Sequence, residues 1–189
     1  QTPFNSIKDV IDYANANPGK LNYASVGIGS SAHLATVLFM DVVGIKMQHV
    51  PYSQMSQGIT DVLTGRTEVW FTTFSGPLPH IKSGKIRAFA VTGPKRAAQL
   101  PELPTFTELG IKMGEESSWY AFFAPKGTPK AIVDKVNRDL EIVLAKPDMK
   151  AKEAQLGYRY IGGSPERLAS FLKAEIAKWD DLAKKGSFK

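Results

Sequence analysis

The sequence predicts an α/β fold built on a mostly parallel sheet. Three observations carry that expectation. Short apolar runs suited to strands alternate with stretches whose apolar residues recur at helical spacing. Gly19, Gly44, Gly65 and Gly84 stand where successive predicted helices stop. Residues 21–39, LNYASVGIGSSAHLATVLF, read as strand, glycine turn and helix in one sweep. Alternation of this kind calls for helices that cross between parallel strands.

Taken in order, Ser6-Ile7-Lys8-Asp9 has the form of a capping box, and Ile7, Val10, Ile11 and Ala14 follow on one helical face. Asn17-Pro18-Gly19 stops that helix. Leu21, Tyr23, Ala24 and Val26 suit a strand; Ser30 and Ser31 suit the cap of a helix carrying Leu34, Val37 and Leu38. Residues 47–52 form a second predicted strand. A helix over 54–63 follows, with Ile59, Val62 and Leu63 inward. Residues 69–73 are a third strand, 76–82 a short helix begun by Pro77, and 86–92 (IRAFAVT) a fourth strand. From 93 to 114 Pro94, Pro101 and Pro104 allow only short turns. Residues 119–124 (WYAFFA) then read as an apolar strand, with Thr128 and Pro129 opening a helix striped by Ile132, Val133, Val136, Leu140 and Val143. A short helix from Pro147, a strand over 158–161 and a last helix with Leu168, Phe171, Leu172, Ile176 and Trp179 inward complete the chain.

At 189 residues the chain has room for a sizeable core in one domain or two small ones. A hydrophobic share of 43% and a charged share of 22% are ordinary for a globular protein and argue against disorder. No apolar run approaches the roughly 18 residues a membrane span needs. The absence of Cys excludes disulfides and thiolate chemistry and suits periplasm and cytosol alike. The net charge of +6 is spread over the sequence and exerts only a weak pull on small anions. No basic patch interleaved with aromatics marks a nucleic-acid surface.

The glycine turn is the candidate site. A glycine-rich bend entering a helix exposes backbone N–H groups beside the positive end of the helix dipole, a ready seat for an anion. The expected occupant is a carboxylate. Gly27-Ile28-Gly29-Ser30-Ser31-Ala32 also fits the G-x-G-x-x-A dinucleotide fingerprint. That fingerprint requires an acid about 20 residues on, and Met47-Gln48-His49-Val50-Pro51-Tyr52 has none, so a nucleotide-dependent enzyme is the alternative from another class. A purely structural turn is a third reading. Ser30, Ser31 and His33 invite a hydrolase reading with Asp41 or Asp61 as third member, but the flanking glycines of a nucleophile elbow are not in place. His33, His49 and His80 do not lie at ligand spacing, so neither metal nor cofactor is expected. Trp119, Tyr120, Phe122 and Phe123 read as core rather than as a stacking platform.

Several long strings occur in order along essentially the whole chain: NPGKLNYASVGIGSSAHLA, HVPY, PLPHIKSGKIRAFAVTG with LPELPTFTELG, SSWYAFFAPKGTP and AEIAKW. On these the chain resembles the Bug family, the extracytoplasmic solute receptors of tripartite tricarboxylate transporters. The resemblance implies a periplasmic, type II-like binding protein of two α/β lobes. It also implies a small carboxylate ligand delivered to membrane permease subunits, and no catalysis. It assigns ligand binding to Gly27, Gly29, Ser30, Ser31 and His33, with Thr72, Thr73 and Ser117 on neighbouring segments. Thr72-Thr73 stand where the family often has Asp-Asn, which argues against an amino-acid ligand, and Ser53-Gln54-Met55 replace its usual lysine and glycines.

The chain begins at Gln1-Thr2-Pro3-Phe4, after the first strand and glycine loop of the family pattern. On the resemblance, residues 1–115 form the second, ligand-binding lobe. Residues 116–189 are the segment that returns to complete the first lobe, whose N-terminal part is absent. Uncovered apolar faces are then expected in the returning segment, and with them a homo-oligomer or a partly disordered tail. A truncated fragment that binds nothing is the remaining alternative.

Overall fold

A computed structural model describes residues 2–114, 118–156 and 158–184. The chain divides into two compact units, residues 1–118 and 119–189.

The first unit opens with helix α1 (Ile7–Ala16), and its capping box forms: Asp9 N–H donates to Ser6 Oγ at 3.1 Å and Ser6 N–H donates to Asp9 Oδ2 at 3.1 Å. Strand β1 (Asn22–Ser25), helix α2 (Ser31–Val43), strand β2 (Gln48–Pro51), helix α3 (Met55–Thr64), strand β3 (Val69–Trp70) and the short helix α4 (Leu78–Lys82) follow. Gly44 and Gly65 end α2 and α3 at φ of 73° and 76°, left-handed values that cost a residue without Cβ nothing.

The three strands are parallel and lie in the order β2-β1-β3, with Tyr23 opposite both His49 and Val69. The chain therefore moves from β1 to one side and then back past β1 to the other. With right-handed crossovers, α2 and α3 cover opposite faces. The packing agrees. Tyr23 and Leu21 share the main core with Phe4, Val10, Phe39, Met47 and Phe106. On the other face the Trp70 ring lies so close to Gly58 of α3 that a Cβ there would sit 2.9 Å from it. Phe39, Phe71 and Phe106 pack with centroids 5.5–5.8 Å apart, Phe71 stacked on Phe106 and Phe39 edge-on to Phe106, binding α2, the segment after β3 and the proline-rich segment together.

The second unit holds helices α5 (Lys130–Leu144), α6 (Pro147–Leu156) and α7 (Pro165–Lys184), with α5 touching both others. Buried Glu175 of α7 accepts from the indole N–H groups of Trp119 (3.2 Å) and Trp179 (3.3 Å) and pairs with Lys178. The Trp119 ring meets Phe171 edge-on at 5.4 Å.

Some sequence expectations are corrected. Residues 86–92 make one bridge, Val91 to Thr105, and no ladder. Residues 119–124 and 158–161 are not strands either. Apolar, β-prone composition records a fit to a half-buried pleated surface, but a strand exists only where a second backbone accepts its N–H groups. Among the described residues 86–92 has such a partner only at Val91, and 119–124 and 158–161 have none. Tyr120, Phe122 and Phe123 accordingly stand 83%, 78% and 64% exposed rather than forming core. The α5 stripe is likewise open at Ile132, Val136 and Val143, and so are Leu63 and Ile176. Helix α5 starts one residue late, because the Thr128 hydroxyl donates to the Pro125 carbonyl at 2.8 Å instead of capping the helix. Strand β3 stops at Trp70, short of the expected Thr73.

Candidate functional site

The parallel order β2-β1-β3 makes β1 a point where connections depart in opposite directions, and at such a point the carboxyl edge of a sheet opens into a crevice. The segment 27–33 leaves that edge from β1 and enters α2, and Thr72 and Thr73 leave it from β3. Thr72 is exposed, and the Thr73 hydroxyl lies 3.4 Å from that of Ser75. Thr72, Thr73 and the glycine turn thus share one edge. Ser117, with Glu116, lies outside the described residues.

Within the turn, Gly27 at φ 116° and Gly29 at φ 78° hold backbone that side chains resist. Ser30 is the N-cap of α2: its Oγ accepts from His33 N–H at 3.3 Å and donates to the Gly27 carbonyl at 2.7 Å. The same carbonyl accepts from Ser30 N–H at 3.2 Å. The hydroxyl is therefore tied into the turn and is not aimed at the His33 ring, which counts against a Ser30–His33 hydrolase pair. Asp61 is engaged elsewhere, accepting from Tyr52 Oη at 3.0 Å and pairing with Arg66 at 3.6 Å.

The two glycine amides also point inward. Gly27 N–H donates to Ser25 Oγ at 3.0 Å, and Gly29 N–H donates to His33 Nδ1 at 3.3 Å. His33 is 3% exposed, and burial pushes its imidazole below the ordinary histidine value. An Nδ1 that accepts an N–H bond carries no proton, so the neutral ring has its hydrogen on Nε2. His49 lies 4.6 Å from His33 and stacks on Tyr23 at 4.9 Å; burial and the neighbouring His33 lower its pKa as well. His49 Nε2 is 2.6 Å from Ser25 Oγ. The two rings thus meet in space although their sequence spacing gave no hint of it. Among the described residues no group of three His, Asp or Glu is placed to hold a metal.

The amides of Ile28, Ser31 and Ala32 and the exposed Ser31 hydroxyl have no protein partner among the described residues. Sequence reasoning singled out this segment without naming beside it Ser25, His49 and Tyr23, which the structure places against it. The available signal was strand alternation, which puts Tyr23 and Ser25 on one face, beside a histidine in the next predicted strand.

The model of the tripartite tricarboxylate transporter family receptor matches residues 1–187. The chain belongs to that family. It is a family of solute-binding receptors, not of enzymes. A UPF0065 protein from the tcbD-tcbE intergenic region of a Pseudomonas species is 37% identical over 180 residues, covering 95% of this chain and 54% of the relative. This receptor-family chain is similar in structure to R. palustris Rpa4515, solved with adipate. The TM-score is 0.83 and the identity 34%, over 97% of this chain and 62% of that one. The periplasmic binding protein BugD superposes with TM-score 0.82 and 33% identity, over all of this chain and 64% of BugD. The chain thus spans about half the length of the curated relative it matches. The fold is that of periplasmic binding proteins, seen here as a small parallel α/β sheet and a helical unit.

Proposed function

We propose that this chain is the carboxylate-gripping part of a periplasmic solute receptor that delivers a small di- or tricarboxylate, or an aromatic or aliphatic acid, to membrane permease subunits. The observation that carries this reading is the turn after β1, where three amides and the Ser31 hydroxyl, without a protein partner among the described residues, lie at the positive end of α2, on the edge where the sheet splits. Charge-assisted hydrogen bonds from such donors suit a carboxylate. The adipate complex of a similar receptor supports the ligand class. Thr72 and Thr73 add neutral donors and no charge, which favours a ligand without an amine.

Titration calorimetry with adipate tests the reading, with NAD as the control for the nucleotide alternative. Saturable heat with adipate, absent with NAD and weakened about tenfold or more by Ser31→Ala, is expected. Adipate heat that Ser31→Ala leaves unchanged would move the site elsewhere, and no heat with any small carboxylate would defeat it.

The same reading takes residues 1–115 as the second lobe and 116–189 as the segment that returns to complete the first. The exposed Tyr120, Phe122 and Phe123 then belong to a face that another polypeptide covers, in this isolated chain a second copy. Sedimentation as a strict monomer would refute that assignment.

A further inference from the structure

We infer that Ser25 and His49 are positioning residues for the anion turn: from beneath it they hold Gly27 by both its N–H and its carbonyl, and this aims the amides of Ile28, Ser31 and Ala32 at the ligand. The inference rests on the carboxylate reading above. Ser25 is fully buried, so it meets no ligand and can act only through the backbone above it. Its Oγ lies 3.0 Å from Gly27 N, 3.1 Å from Gly27 O and 2.6 Å from His49 Nε2. A hydroxyl has one proton. Gly27 N–H is already a donor, so all three contacts are met at once only if Ser25 donates to the Gly27 carbonyl and His49 Nε2–H donates to Ser25. His49 is held for that task by its stack on Tyr23 and by β2, where it sits opposite Tyr23 in the ladder.

Gly27 is where such a hold matters. Its φ of 116° lies outside the basins that side chains favour, and glycine by itself has no preference for it. The hydrogen bonds that hold that conformer are two on the carbonyl from Ser30 and the Ser25 clamp on both N–H and carbonyl. Releasing the clamp would let the peptide rotate and turn an outward amide away. The loss would appear as weaker binding without global unfolding.

The test uses the full chain and four variants: Ser25→Ala, His49→Phe, His49→Gln and Ser31→Ala. Phe keeps a ring to stack on Tyr23 and loses the donor; Gln places an amide N–H near the position of Nε2. Amide hydrogen exchange at Gly27 is read by NMR without ligand, and the Kd for adipate by calorimetry. Ser25→Ala and His49→Phe are expected to raise Gly27 exchange and the adipate Kd about tenfold each, with His49→Gln recovering most of both. Ser31→Ala raises the Kd and leaves Gly27 exchange unchanged. Unchanged Gly27 exchange in both Ser25→Ala and His49→Phe overturns the inference; so does a His49→Gln as impaired as His49→Phe. Should one variant fail to fold, the other carries the same comparison. A wild-type chain that binds no carboxylate defeats the carboxylate reading alone, because Gly27 exchange still decides whether the clamp exists.

Discussion

Replacing the two glycines of the anion turn separates backbone strain from every other cost. A Cβ built at Gly27 or at Gly29 meets no atom within 4 Å, so neither substitution clashes. What remains is the dihedral. At Gly29, φ is 78°, in the left-handed region, where a residue with Cβ costs about 1–2 kcal/mol and Asn less. At Gly27, φ is 116°, beyond that basin, where the cost rises to about 1–3 kcal/mol and Asn brings no relief. The expected order of destabilisation is Gly27→Ala, then Gly29→Ala, then Gly29→Asn. Because the chain holds two compact units, whole-chain unfolding does not qualify as two-state. The assay is therefore urea unfolding read by Trp70 fluorescence, in a background carrying Trp119→Phe and Trp179→Phe. Trp70 is then the sole tryptophan and reports on the unit that holds the turn. Equal losses for Gly29→Ala and Gly29→Asn, or no loss at Gly27, would refute the strain account.

Stability should fall with acid through the histidine pair. Burial depresses His33, and burial with His33 nearby depresses His49, so the folded state favours both neutral rings. Between the depressed values and the ordinary value near 6.5 the unfolded chain binds more protons. The stabilisation is complete above about pH 6.5 and declines as pH drops below it. His33→Asn, which keeps an acceptor for Gly29 N–H and cannot titrate, should flatten that decline, and a melting-temperature profile from pH 8 to 5 shows whether it does. Gly58→Ala drives a Cβ to within 2.9 Å of the Trp70 ring, and its overpacking should exceed the gain of about 1 kcal/mol in helix propensity. A variant as stable as wild type in urea would contradict the packing. Tyr52→Phe removes the hydroxyl that lies 2.6 Å from Thr67 Oγ1 and 3.0 Å from Asp61 and should cost about 1–2 kcal/mol, measured the same way. No change would mean that water replaces the bridge without loss.

The local signals of this chain were legible because they act over one or two turns of backbone. The capping box at Ser6, the left-handed stops at Gly44 and Gly65 and the strand–turn–helix sweep around Gly27 are short-range chemistry, and each formed as read. The long ordered motifs placed the chain in its family by the same kind of reading. Pairing between distant segments was decided only in three dimensions. WYAFFA has a strand's composition, yet among the described residues no backbone pairs with it, and Tyr120, Phe122 and Phe123 stand exposed while Trp119 packs on Phe171. The turn shows the same division at smaller scale. Its glycines led to the expectation of an anion seat, but which amides are bonded within the turn depends on what lies below. Ser25 and His49 come from adjacent strands, 24 residues apart in sequence, and only the parallel register sets them 2.6 Å apart under Gly27.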